Sequence, residues 1–229
     1  VEGKKMSKSL GNFYTLRDLL LRGYKASAIR FLLTSVPYHN QLNFTFDGLT
    51  ESTNAVERLR SFVERLHKGG FPAGRNISLF EATERAGRDF TAALEDDLNT
   101  AEARAAIFEL VRLANSHADR HELQTENVPP ILDMLARFDA VFAVLENRDD
   151  AVTRLALDWA AKENRLNEAA PELVAGYALS AEAIDRLIEE RNAARKARDF
   201  ARADAIRKDL AEKGIVLEDS PGGVRWRRK

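Results

Sequence analysis

The sequence predicts a mainly α fold, an antiparallel helical bundle followed by a small α/β C-terminal module. Three observations carry this. Apolar residues recur at three-to-four spacing through most of the first 147 positions, the period of one helix face. The loops between those runs are short, so consecutive helices pack as antiparallel neighbours. Only after residue 214 does the pattern change, to two short runs around Ser220-Pro221-Gly222-Gly223, the mark of a hairpin.

Thr15-Leu16-Arg17-Asp18 opens the first helix, with Thr15 as cap and Asp18 near the positive helix end; Gly23 closes it. A second helix is expected over 26–35, with Ile29, Leu32 and Leu33 on its buried face and Pro37 as the stop. Residues 38–45, rich in Asn and aromatics, read as loop. From Asp47 the series Leu49, Val56, Leu59, Val63 and Leu66 marks a long amphipathic helix that ends at Gly69-Gly70. The next, over 79–94, carries Phe80, Phe90 and Leu94. Asp96-Asp97-Leu98-Asn99 is a turn, and Asn99 with Glu102 caps a helix bearing Ala103, Ile107, Leu110, Val111 and Ala114. Pro129-Pro130 starts a helix with the stripe Ile131, Leu135, Phe138, Phe142 and Leu145.

Residues 147–150 are a polar break. The stretch 148–179 reads as a partly ordered linker, helical in composition to 168 with Leu155 and Trp159 as anchors, then irregular at Pro171 and Gly176. Helices over 181–198 and 200–213, the second closed by Gly214, precede strands at 215–218 and 224–227. The expected organisation is thus a loop at 1–14, a bundle at 15–147, a linker at 148–179 and a small module at 180–229.

Composition narrows the function classes. The chain has 229 residues, 45% hydrophobic and 31% charged, with a net charge of −1. No apolar run approaches the length of a membrane span and no secretory signal is present, so a cytoplasmic protein without membrane contact is expected. Cys is absent, which rules out disulfides, and the four His are too scattered for a zinc site. His39, His67, His117 and His121 read as structural, and Asp96 and Asp97 as turn and capping residues rather than metal ligands. Near-neutral net charge does not exclude RNA, because the distribution matters more than the sum. Arg225-Trp226-Arg227-Arg228-Lys229 is strongly basic. With no initiating Met and a functional loop at its fifth residue, the chain reads as a truncated piece.

Lys5-Met6-Ser7-Lys8-Ser9, followed by Leu10-Gly11-Asn12, is the most specific signal. Two ammonium groups separated by small hydroxyl residues and bracketed by Gly3 and Gly11 suit a loop that closes over polyphosphate. Lysine is a compact point charge on a flexible stem, and Ser7 and Ser9 add hydroxyl donors. Such a clamp stabilises negative charge developing on departing pyrophosphate. The plainer alternative is a solvated basic loop.

The motif strongly resembles the signature loop of class I aminoacyl-tRNA synthetases. Further marks are Ala28-Ile29-Arg30-Phe31-Leu32-Leu33 ending near Leu42-Asn43-Phe44, Asp96-Asp97-Leu98-Asn99-Thr100, Glu190-Arg191-Asn192-Ala193-Ala194-Arg195-Lys196-Ala197, Ala201-Arg202-Ala203-Asp204-Ala205-Ile206-Arg207, Gly214-Ile215-Val216-Leu217-Glu218-Asp219 and the terminal Trp226-Arg227-Arg228-Lys229. In that order they resemble the C-terminal half of cysteinyl-tRNA synthetases. The resemblance implies that ATP, with Mg, activates cysteine to an adenylate and that the aminoacyl group passes to tRNA(Cys). It implies that Lys5 and Lys8 are the catalytic lysines, with Lys5, Met6, Ser7, Lys8 and Ser9 on the ATP phosphates. The zinc ligands and the nucleotide fold would lie upstream, so the chain alone would be inactive. The bundle would be of the class I anticodon-binding type, and Arg195, Asp204, Asp219, Trp226 and Arg227 would be anticodon contacts. The partners implied are tRNA(Cys), ATP and cysteine, with no DNA and a monomeric state.

Plainer roles exist for several of these. Trp226 alternates with basic residues on a short strand, which also suits a core-filling ring. Asp204 can pair with Arg207 or Lys208 along its own helix, and Arg195 suits a surface charge. Two rival functions are a paralogous ligase that couples cysteine to an amino sugar and a non-catalytic helical RNA or protein interaction domain.

Overall fold

A computed structural model describes residues 1–178, 181–212, 215–220 and 223–228. The expected helix end at Gly214 and hairpin turn at Pro221-Gly222 lie outside the described residues. The chain divides into two compact units, one of Val1–Leu20 with Tyr24–Thr153 and one of Leu21–Gly23 with Arg154–Lys229.

The first unit holds α1 (Leu16–Leu21) for most of its length, then α2 (Ala26–Leu33), α3 (Phe46–Lys68), α4 (Ile77–Glu95), α5 (Thr100–Asp119) and α6 (Val128–Phe142). Each start has a local cause. Asp18 N–H donates to Thr15 Oγ1 while Thr15 N–H donates to the Asp18 carboxylate, a reciprocal cap on α1. Thr45, Asn76 and Asn99 accept from Gly48, Leu79 and Glu102 at the heads of α3, α4 and α5. One core gathers α3 to α6: Val56, Leu59, Phe62, Leu79, Phe90, Ile107, Leu110, Ile131, Phe138 and Phe142 are all buried in it. Phe138 and Phe142, one turn apart on α6, stack at 4.5 Å between ring centroids.

At Gly48 the head of α3 packs against Leu32 of α2. A Cβ there would lie 2.9 Å from Thr45 Oγ1 and 3.2 Å from Leu32 Cδ1. Thr45 cannot swing aside without releasing the Gly48 N–H it caps. Gly48→Ala gains helix propensity of about 1 kcal/mol but overpacks this contact by about 1–3 kcal/mol. The expected net result in urea unfolding is neutral to destabilising, against the stabilisation of Gly→Ala in an open helix.

The second unit contains most of α7 (Asp149–Lys162), with α8 (Pro171–Ala178), α9 (Ala181–Lys196), α10 (Phe200–Glu212), β1 (Ile215–Ser220) and β2 (Gly223–Arg228). The strands pair antiparallel, Leu217 opposite Trp226 and Asp219 opposite Val224. Ile184, Ile188, Leu210, Ile215 and Leu217 form their own small core. Among the described residues this hairpin is the whole sheet content, so the mainly α class describes the chain and the expected α/β module amounts to two helices and one hairpin. No helix among the described residues is long and apolar enough to cross a membrane.

Three local expectations change. Leu33 is 56% exposed, and Ala28 and Phe31 bury the face of α2 instead. The stretch expected as a partly ordered linker contains α7 and α8, and Leu155, expected as an anchor, is 69% exposed. Ala156, Leu157 and Ala160 make that buried stripe, and its small residues leave a faint sequence signal. The supposed polar break at 147–150 contains Asp149, a buried residue at the start of α7.

Candidate functional site

The loop at the front of the first unit is a closed ring. Ser7 is extended, Lys8–Leu10 form a single 3-10 turn, and Gly11 ends it in the left-handed region at φ 66°, donating its N–H to Lys8 O. Asn12 then ties both ends together. Its Oδ1 accepts from Ser7 N–H at 2.8 Å and its Nδ2 donates to Lys5 O at 3.1 Å. Ser7 and Ser9 share a hydroxyl–hydroxyl hydrogen bond of 2.8 Å. One amide side chain therefore does for residues 5–12 what a turn hydrogen bond does for a shorter loop.

Lys5 and Lys8 are exposed and form no ion pair with the described residues. The Lys8 ammonium rests 5.4 Å from the centroid of the Phe13 ring, a contact worth about 0.5–1 kcal/mol at an exposed site and easily exchanged for a phosphate. Met6 is 44% exposed and, with Leu33, Gln41, Leu42, Asn43 and Phe44, lines a cleft beside the loop. The geometry offers two uncompensated cations and a hydroxyl pair on a constrained backbone, a donor set for an oligophosphate.

Asp149, inside the stretch expected as a polar break, is a buried hub. Its carboxylate accepts from Ser27 N–H and Oγ, both at 2.8 Å, and from Arg60 Nη1 at 2.7 Å. It thereby supplies the cap that α2 lacks from its own N-cap residue, Lys25. Arg60 also donates to Val144 O and Leu145 O beyond the end of α6. Burial opposes ionisation of Asp149, but the Arg60 guanidinium and the two Ser27 donors outweigh it and hold the carboxyl below its ordinary value.

The anticodon candidates all fall in the second unit. Arg195 lies in the last turn of α9 and Asp204 on α10, both exposed. Asp204 makes none of the expected pairs with Arg207 or Lys208; Lys208 instead faces Glu212. Trp226 is half-buried against the small core and donates Nε1–H to Asp185 at 2.9 Å, which favours its packing role. Asp219 and Arg227 are described as strand positions, but their side chains lie outside the described residues. Among the described residues no group of His, Cys, Asp and Glu is arranged to hold a metal ion.

Residues 1–54 match the family model of the tRNA synthetases class I (C) catalytic domain, 89–146 that of the DALR domain, and 179–227 that of the cysteinyl-tRNA ligase anticodon binding domain. The whole chain aligns at 48% identity with 47% of a cysteine–tRNA ligase of Koribacter versatilis, and at 47% identity with 44% of one from Solibacter usitatus. It aligns at 36% identity with 44% of one from Leptospira interrogans. The chain spans about half the length of the curated relatives it matches. It belongs to the cysteinyl-tRNA ligase family and corresponds to its C-terminal portion.

Proposed function

We propose that this chain is the tRNA-holding portion of a cysteine–tRNA ligase and carries that enzyme's pyrophosphate-gripping loop. In this reading ATP, with Mg, activates cysteine, and the aminoacyl group passes to tRNA(Cys). Lys5 and Lys8 neutralise charge on the departing pyrophosphate while Ser7 and Ser9 orient it. The nucleotide pocket and the zinc ligands for the substrate thiol lie outside the chain, in a longer cytoplasmic protein. Residues 15–147, with α1 to α6, form the antiparallel bundle that faces the tRNA. The pair α9–α10 with its hairpin is the α/β module that reads the anticodon, through Arg195, Asp204, Asp219 and Arg227, on a surface that Trp226 helps to fix. The observation that carries the reading is the Asn12-closed loop presenting two exposed lysines that form no ion pair among the described residues. The match of 179–227 to an anticodon-binding family argues against a paralogue acting on an amino sugar, which has no anticodon to read.

Filter binding of the 229-residue chain tests the RNA half of this proposal. A tRNA bearing the GCA anticodon is expected to bind about tenfold or more tighter than an unrelated tRNA, because base-edge contacts are lost in the latter. Affinity for both falls with salt in proportion to the phosphates neutralised. Asp204→Ala, at an exposed carboxylate without a partner among the described residues, narrows the preference and leaves the salt slope unchanged. Equal affinity for the two tRNAs would sink the anticodon assignment.

A further inference from the structure

We propose that Glu2 and Asn43 form a latch that sets the position of the lysine loop against the head of α3, making them positioning residues for Lys5 and Lys8; this rests on the ligase reading above. Three hydrogen bonds build the latch. Glu2 N–H donates to Phe44 O at 2.9 Å, Gly3 N–H donates to Asn43 Oδ1 at 2.8 Å, and Phe46 N–H donates to the Glu2 carboxylate at 2.9 Å.

The backbone is bent to make these bonds. Glu2 and Gly3 both occupy the left-handed region, at φ 49° and 72°, which reverses the chain sharply just before the loop. Gly3 adopts that conformation freely; Glu2 does so against its Cβ, so its contacts must hold it there. The side that Glu2 and Gly3 meet offers both acceptors and a donor on well-anchored residues. Phe44 is buried, and Phe46 is the first residue of α3, where an unpaired N–H and the positive helix end both favour a carboxylate. Phe46 is further packed by Phe44, Tyr14 and Tyr24, with Tyr14 lying just beyond the loop. Both ends of residues 5–12 therefore meet at the head of α3, the entering end through Glu2 and the leaving end through Tyr14. Asn12 keeps the ring closed; the latch decides where the ring stands. A loop whose ring is intact but whose root is free presents its ammonium groups over a wider volume, and misplacement of catalytic groups by about 1 Å costs up to 10²-fold in rate.

Two measurements test the latch. In hydrogen exchange on the 229-residue chain, Asn43→Ala is expected to speed exchange of the Phe46 amide at least about threefold, although Asn43 does not touch it, because the latch opens as a unit. In cysteine-dependent ATP–pyrophosphate exchange by the full-length ligase, Glu2→Ala and Asn43→Ala lower kcat on the order of tenfold with KM for cysteine unchanged. Glu2→Gln, whose amide oxygen still accepts from Phe46, recovers most of the rate. An unchanged Phe46 amide in Asn43→Ala overturns the latch, and a loosened amide with full kcat overturns its positioning role. Should the unmutated ligase show no cysteine-dependent exchange, the ligase reading fails while the amide measurement still decides the latch.

Discussion

Lys8→Ala in the full-length ligase is expected to slow adenylate formation by about 10²–10³-fold, the cost of deleting one preorganised donor to developing negative charge. Pyrophosphate gains charge as it leaves, so an ammonium held where that charge appears acts on the transition state more than on bound ATP. The loss should therefore fall on kcat in ATP–pyrophosphate exchange, with a smaller change in KM for ATP. Lys8 starts the 3-10 turn that Gly11 closes, and among the described residues a weak contact with Phe13 is what holds its ammonium at rest. Its release to a phosphate thus costs little. Affinity for tRNA should stay within about twofold, because the proposed RNA contacts lie on the bundle and on α9, α10 and the hairpin. Lys8→Arg is not a conservative control: the planar guanidinium keeps the charge but changes its reach and hydrogen-bond geometry, so partial activity is expected. Activation kinetics unchanged in Lys8→Ala would remove the lysine from the mechanism.

Part of this arrangement is legible in the sequence and part is not, for identifiable reasons. Long helices with large apolar residues announce themselves: Leu49, Val56, Leu59 and Leu66 on α3, and Ile131, Leu135, Phe138 and Phe142 on α6, fall at helical spacing and are all buried. The loop is legible because its chemistry is compressed into consecutive residues. Helix α7 is harder, because Ala156 and Ala160 are two of the three residues in its buried stripe and small residues carry little hydrophobic signal. The latch is out of reach, since it joins Glu2 to backbone groups some forty positions away and uses residue types common on any surface. For Trp226 the sequence supports both a stacking and a packing role, and it does not foretell the indole hydrogen bond to Asp185.

Asp149 is the extreme case of long-range encoding, and replacing it is expected to have the largest effect on stability. Ser27 lies 122 positions earlier and Arg60 89 positions earlier, so nothing local distinguishes Asp149 from its exposed neighbour Asp150. The Arg60 and Asp149 side chains are only 12% and 7% exposed. Asp149→Ala leaves a nearly buried guanidinium without its anion and strips the cap from α2, which should cost about 3–5 kcal/mol, the usual result of breaking a buried pair from one side. Asp149→Asn keeps the shape and one acceptor for Ser27 and should cost less, about 1–3 kcal/mol. Arg60→Ala must also free Val144 O and Leu145 O, so the two single changes should not add, and a double-mutant cycle should return coupling of about 1 kcal/mol or more. The pH dependence has a fixed sign. The folded-state pKa of Asp149 is depressed, so its contribution is complete above the unfolded-state value of about 4 and is lost as the pH falls from there through the lower folded value. Urea unfolding of the wild type should therefore lose stability across that acid window, and Asp149→Asn should lose less over the same range. Parallel acid profiles for the two proteins would mean that the carboxylate is not ionised against Arg60, and the hub would reduce to ordinary packing.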